Sequence, residues 1–227
     1  MIRVEGKDVF TELHELAGPR HTALLLIDMQ RDFIEPDGAF ASLGIDLSMY
    51  ERTRSQLTGL LAAARRHGVL VVHLQNTALP DRMSDSPAQI RFNLRMHQMA
   101  RAGGEPLRYT VPGTRGHEFI EELRPLPHEP VVRKFRSSGF WGTNLELLLR
   151  SNSVQTVVIG GCTTEGCVES TARDALFTDH YVVIAEDCVA SDDKEQHEAS
   201  MLLMRHRFDL ATAAALEQVW AAWPPGG

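Results

Sequence analysis

Four short apolar runs punctuate the chain: TALLLID (Thr22–Asp28), VLVVHLQ (Val69–Gln75), TVVIG (Thr156–Gly160) and YVVIAE (Tyr181–Glu186). Each is bounded by polar or turn-forming residues. Each is near-continuous rather than alternating, which is the pattern of parallel strands covered on both faces. PVVR (Pro130–Arg133) and Phe208–Thr212 are shorter strand candidates. Between the runs the apolar spacing changes to a helical period. Tyr50–His67 carries Leu57, Leu60, Leu61 and Ala64 on one face and stops at Gly68, a C-terminal capping signal. Thr143–Arg150 repeats the pattern, with Thr143 and Glu146 spaced as a capping box. Cys167–Asp179, Lys194–His206 and Leu216–Trp220 complete the helical set. Alternating strands and helices predict an α/β fold, a doubly wound sheet with right-handed crossovers. Such sheets bind their ligands beyond the carboxyl ends of the strands.

Residues 80–116 break this rhythm. The segment is polar, rich in Arg, Met and Gly, and longer than an ordinary connection. Ile90–Ala100 is a helix candidate inside it. It has too few apolar residues for a core of its own, so it reads as a lid or oligomer contact within a single domain spanning 1–227. The terminal PPGG reads as a loose end.

Composition narrows the class. A chain of 227 residues with 43% hydrophobic content supports one sizeable core. The net charge of −7 argues against nucleic acid or an anionic membrane as a partner. No run approaches the roughly 20 apolar residues of a membrane helix. Met1 to Gly18 is charged throughout, without the apolar stretch of a secretory signal. Three cysteines, Cys162, Cys167 and Cys188, are too few and odd in number for a disulfide framework. A reducing cytoplasm, in which a thiol stays free to react, is the expected setting.

Three polar residues fall at the strand ends. Asp28 closes the first run, Lys134 follows VVR, and Cys167 lies seven residues past TVVIG, where a Gly- and Thr-rich turn feeds a helix. Alone, each has a plain reading: a turn acid, a solvated lysine, a small buried thiol. Together they bring an acid, an ammonium and a nucleophile to one edge of a sheet. The helix start and the Lys134 charge are expected to lower the thiol's pKa from its usual ~8.5. Asp28 is suited to take the thiol proton and return it to a leaving amine. A zinc site built from the cysteines is disfavoured by the four-residue gap between Cys162 and Cys167.

The surrounding letters resemble the isochorismatase-like cysteine hydrolase superfamily. LLLIDMQRDF (24–33) is similar to its strand-Asp-x-Gln-x-x-Phe motif, RKFRSSGFWGTNLELLLR (133–150) to its lysine block, and GGCTTEGCVESTARDAL (160–176) to its cysteine block. All three stand in order, and the likeness runs from about Ala23 to Thr212. The resemblance implies a three-layer fold of about six parallel strands flanked by helices, with Asp28, Lys134 and Cys167 as catalytic triad. It also implies a cis peptide between Cys162 and Thr163, which turns the Thr163 N–H beside that of Cys167 as an oxyanion hole. A homodimer or homotetramer is implied as well.

Nicotinamidases of the superfamily hold a metal through an Asp-x-His cluster after the second strand. HLQNTALPDRM lacks it here, so neither metal nor cofactor is expected. The nearest resemblance is to N-carbamoylsarcosine amidases and ureidoacrylate amidohydrolases, through Gln75–Asn76, RSSGFWGT and CVESTARDALF. The implied reaction cleaves a C–N bond of a small amide, ureido or N-carbamoyl substrate through an acyl-thioester, releasing ammonia. Phe33, Asn76, Phe140 and Trp141 are candidate substrate-binding residues. Arg82, Arg91 and Arg95 are candidates to meet a substrate carboxylate. Two alternatives stand beside this reading: an isochorismatase-type vinyl-ether hydrolase, and a catalytically silent binding module of the same fold.

Overall fold

Alternation along the buried strands sets the layers of the protein, seen in a computed structural model that describes residues 1–96 and 107–224. The chain opens with a hairpin, β1 (Ile2–Val4) and β2 (Lys7–Val9), and a short helix, α1 (Leu13–Leu16). The first core strand is β3 (Thr22–Ile27), buried at every position. Two single helical turns, α2 (Arg31–Ile34) and α3 (Ala39–Ser42), precede the long helix α4 (Ser48–Arg66). Then follow β4 (Leu70–Asn76), α5 (Pro87–Met96), β5 (Val131–Lys134), α6 (Leu145–Ser151) and β6 (Thr156–Cys162). A π turn (Thr164–Val168) runs into α7 (Glu169–Phe177), and β7 (Tyr181–Ala190), α8 (Lys194–Arg205), β8 (Asp209–Ala211) and α9 (Ala213–Ala222) complete the fold.

The six core strands form one parallel sheet in the order β5-β4-β3-β6-β7-β8. Leu24 and Leu26 of β3 face a core shared with Leu57, Leu60 and Leu61 of α4 and Leu216 and Trp220 of α9. Ala23, Leu25 and Ile27 face the opposite core, built with Leu145 and Leu149 of α6, Ala172 and Ala175 of α7 and Met204 of α8. A period of two thus divides one strand between two helical layers. Each fully buried Leu or Ile contributes about 1.5–3 kcal/mol. This is the three-layer α/β fold that the sequence resemblance implied. Among the described residues no helix is long and apolar enough to cross a membrane.

Chain direction reverses its drift between β3 and β6, the adjacent strands at the centre. A crevice opens at their carboxyl ends, the usual ligand position in such sheets. Beyond the opposite edge, Glu129 anchors the entry to β5. It accepts from Arg65 Nε and Nη2, both at 2.8 Å, and lies 3.0 Å from His73 Nε2 on β4. Burial pushes its carboxyl up, but hydrogen bonds from Arg65, the Leu126 N–H and His73 outweigh that and bring it down to about 2.

Several expectations are adjusted. The Thr143–Glu146 capping box does not form, because α6 starts later, at Leu145. The Thr143 hydroxyl instead donates to Gly139 O (2.6 Å) and accepts from Leu145 N (3.1 Å), while Glu146 meets Arg150 at 2.9 Å. Cys167 is not the first residue of a helix but lies inside the π turn ahead of α7. The helix expected over Ile90–Ala100 starts earlier, at Pro87. Residues 97–100 of that expectation, with the rest of 97–106, lie outside the described residues, as do 225–227 of the PPGG end.

Gly161 shows how tightly the crevice floor is packed. It has φ +127°, and a Cβ there would lie 2.1 Å from Ile27 O and 2.7 Å from Ile27 N. Gly161→Ala should therefore lower the unfolding free energy by about 2–4 kcal/mol, combining a disallowed backbone with overpacking. Urea denaturation measures this, and a loss below ~0.5 kcal/mol would contradict the packing described.

Candidate active site

The crevice is built from the ends of four strands. Asp28 follows β3 with φ 55°, a left-handed conformation that Asp tolerates better than most residues. Its N–H donates to Leu74 O (3.1 Å), and its Oδ1 accepts from Asn76 N at the end of β4 (2.9 Å). Lys134 ends β5, two strands from β3 and so about 9–10 Å across the sheet. Its four-carbon stem spans the end of β4, and Nζ lies 2.7 Å from Asp28 Oδ2 and donates to Cys167 Sγ at 3.1 Å. It also donates to Arg136 O at 3.1 Å. Neither partner of the ion pair is exposed to more than 1%. The three residues picked out from the sequence are in contact.

The cysteine turn is fastened to the lysine block. Thr171 donates to Cys167 O (2.7 Å) and accepts from Gly139 N (3.0 Å), which ties α7 to the loop after β5. The Cys162–Thr163 peptide is cis. Asp32 holds the opposite wall: its Oδ2 accepts from Thr110 N (2.6 Å), and Thr110 Oγ1 accepts from Asn76 Nδ2 (2.8 Å).

The crevice holds a cavity of about 100 Å³. Asp28, Thr163, Cys167, Phe33 and Asn76 line it, and Phe33 packs edge-on against Phe40 and Tyr109 (4.8 and 5.6 Å between centroids). Phe140 and Trp141 do not reach it. Phe140 is held against the α6–α7 core beside His180, and Trp141 points outward, 74% exposed. The turn at Gly139 carries the chain away from the cavity before either ring can face it. Arg82 lines the cavity, whereas Arg91 and Arg95 are exposed on α5 and do not. Phe40, Tyr109, Arg108 and Arg136 line it as well, and sequence reading passed over them. Arg136 carried a usable signal, since it stands two residues past Lys134 inside a recognised block. Tyr109 lies in a stretch without regular secondary structure and carried none.

Charge inside the cluster follows from burial. Burial alone would depress the Lys134 ammonium, but the Asp28 charge, with hydrogen bonds to Asp28 and Cys167, more than offsets it and holds its pKa above the ordinary value. Burial pushes the Asp28 carboxyl up, opposed chiefly by the Lys134 charge. Burial also pushes the Cys167 thiol up, to about 12, against the pull of Lys134 and with the Asp28 charge adding to the rise. The expected lowering of the thiol pKa is therefore corrected: desolvation outweighs the cation. One ammonium serves two acids, and the carboxylate takes it, leaving ammonium, carboxylate and neutral thiol at rest. Among the described residues, no three His, Cys, Asp or Glu side chains gather as a metal site.

The isochorismatase domain family matches residues 22–215, and the chain belongs to that family. The ureidoacrylate amidohydrolase RutB of Enterobacter sp. (strain 638) is 31% identical over 173 residues, covering 74% of this chain and 75% of its own. A maleamate amidohydrolase from Pseudomonas putida KT2440 is 31% identical over 182 residues, 80% and 78% of the two chains. The crystal structure of a cysteine hydrolase from Pseudomonas syringae pv. phaseolicola 1448A matches with a TM-score of 0.76 at 25% identity, covering 91% and 95%. The chain is thus an enzyme whose similar relatives hydrolyse amides.

The charge assignment is testable by alkylation, which reads the thiolate. Asp28→Asn removes an anion that raises the thiol's pKa, so half-maximal alkylation of Cys167 should move to lower pH. Lys134→Met removes the cation that lowers it and should move the profile upward. At pH near 8 the two variants should bracket the wild type by about tenfold or more in rate. The reverse order would overturn the assignment.

Proposed function

We propose that the protein is a cysteine-dependent amidohydrolase acting on a small amide, ureido or N-carbamoyl substrate, with Cys167 as nucleophile, Asp28 as proton carrier and Lys134 as fixed counter-charge. The observation that carries this reading is the contact of the three: a thiol 3.1 Å from a buried ammonium that lies 2.7 Å from a carboxylate, at the wall of a cavity.

The thiol is neutral at rest, so attack and proton transfer go together. As Cys167 Sγ bonds to the carbonyl carbon, its proton passes to Asp28. The negative charge that leaves Asp28 builds on the carbonyl oxygen, where the N–H groups of Thr163 and Cys167 form the oxyanion hole. One such donor is worth about 3–4 kcal/mol. Lys134 stays protonated throughout and keeps the cluster from carrying an uncompensated charge. Asp28 then hands its proton to the leaving nitrogen, ammonia or an amine departs, and a thioester or thiocarbamate remains on Cys167. Water that gives its proton to Asp28 attacks that carbonyl, and the thiolate released regains the proton. Phe33 supplies an apolar wall. The Asn76 amide is tied to Thr110, so its carbonyl oxygen is the part free to accept from a substrate N–H.

The chain works as one catalytic domain, with 80–96 and 107–116 walling its own cavity. Cys162, Cys167 and Cys188 are free thiols, in keeping with a reducing cytoplasm. A homodimer or homotetramer is the assembly expected of it.

A screen of small amides, ureido acids and N-carbamoyl amino acids for ammonia release, with pyruvate assayed in parallel, tests the reaction class. Ammonia should appear without pyruvate. Cys167→Ser should fold normally and lose about a thousandfold or more in kcat/KM. Turnover within tenfold of wild type would remove Cys167 from its role.

A further inference from the structure

The cysteine turn has a second set of fastenings, made outside the cavity. Among the described residues, Thr164, His197 and Ser200 do not line the cavity, yet they join the turn to α8. Thr164 lies between the cis-linked Thr163 and the nucleophile and is fully buried. Its Oγ1 is 2.8 Å from His197 Nδ1. Ser200, about one turn further along α8, donates to Glu169 Oε2 and lies 3.5 Å from Thr164 O. Residues three apart share a helix face, so one face of α8 makes both contacts.

His197 is itself held in a fixed place. It stands in the first turn of α8, which Asp193 caps by accepting from Gln196 N (3.0 Å). The far end of α8 is anchored by Met204 in the core shared with α7. Burial holds the imidazole below its usual pKa, against the charges of Glu165 and Glu198, and so favours the neutral ring. A neutral imidazole keeps one nitrogen as acceptor, and the rotatable Thr164 hydroxyl is placed to donate to Nδ1.

The neighbouring peptide is what this contact governs. Thr163 O accepts from both Gly166 N (3.2 Å) and Val168 N (3.1 Å). The Thr163–Thr164 segment is therefore pinned through its carbonyl from within the turn, and through the Thr164 side chain from α8. N–H groups stabilise an oxyanion best when they are in place before its charge develops.

We infer that His197 is a positioning residue: through the Thr164 hydroxyl it holds the turn whose Thr163 and Cys167 N–H groups meet the developing oxyanion. This rests on the amidohydrolase reading and adds to it a residue outside the cavity. A role confined to packing would disturb the thiol and the oxyanion hole alike.

Two reactions of Cys167 separate these roles without a known substrate. p-Nitrophenyl acetate acylates a thiol through a tetrahedral oxyanion, read as a burst of p-nitrophenolate. Iodoacetamide alkylates it by displacement at a methylene carbon, with no oxyanion. Peptide mapping of the full chain assigns each product to Cys167. His197→Leu and Thr164→Val should each slow acylation about ten- to a hundredfold, while alkylation stays within about threefold. His197→Asn, which keeps an acceptor in place of Nδ1, should recover most of the acylation rate. The double variant His197→Leu/Thr164→Val should be no slower than the slower single one, because both remove the same contact. If Thr164→Val fails to fold, His197→Leu with its Asn counterpart carries the comparison. Acylation unchanged in His197→Leu, or acylation and alkylation slowed equally, overturns the inference and leaves the nucleophile intact. A wild-type Cys167 that resists acylation would overturn the amidohydrolase reading itself, and the inference with it.

Discussion

An ammonium group with no exposure to solvent has to find its counter-charge inside the fold, and Lys134 is such a group. Removing a partner from a buried pair costs on the order of 3–5 kcal/mol, so position and charge are settled together. Asp28 at 2.7 Å answers the charge, and Cys167 at 3.1 Å takes a second contact. Because one cation faces two acids, the thiol is held neutral and the carboxylate charged. In the proposed mechanism the reactive state is then one proton transfer away, from Cys167 to Asp28.

The rest of the molecule holds that arrangement in place. Strand order sets Lys134 two strands from Asp28, a gap that a lysine stem crosses and a shorter side chain does not. Glu129, gripped by Arg65 and His73, fixes the start of β5 and therefore the origin of that stem. On the opposite side, Asp32 holds Thr110, Thr110 holds the Asn76 amide, and the Asn76 N–H holds Asp28. Gly161 lets β6 close on β3 where no side chain fits. Each of these acts on the geometry of the cluster without touching the carbonyl it is proposed to attack.

Much of this was legible in the sequence, for a physical reason. Thr22–Asp28, Val69–Gln75 and Thr156–Gly160 are apolar on every side because both faces of a central parallel strand are covered, and such runs stand out in any chain. Asp28 and Lys134 stand out because each falls at the end of an apolar run, whereas Cys167, seven residues past the third run, stands out through the motif around it. What was not legible depends on closure in three dimensions. The three-residue strands of the first hairpin are almost wholly exposed and carry no apolar period. Phe140 and Trp141 looked like pocket walls from their place in a motif, but the turn at Gly139 directs them away. The thiol's upward shift arises from desolvation, which no local pattern reports. Arg136 and Arg108 meet at the cavity mouth because one turn, 79–85, gathers residues distant from one another along the chain.

In the proposed chemistry Cys167 bonds covalently to the substrate's carbonyl carbon. The direct measurement is an acid-quenched single turnover on the intact protein, using a substrate that releases ammonia, followed by intact mass and peptide mapping. A transient added mass equal to the acyl or carbamoyl group is expected, confined to the peptide that contains Cys167 and removed by hydroxylamine. Complete turnover with Cys167 unmodified at every quench time, or an adduct on another residue, would contradict it.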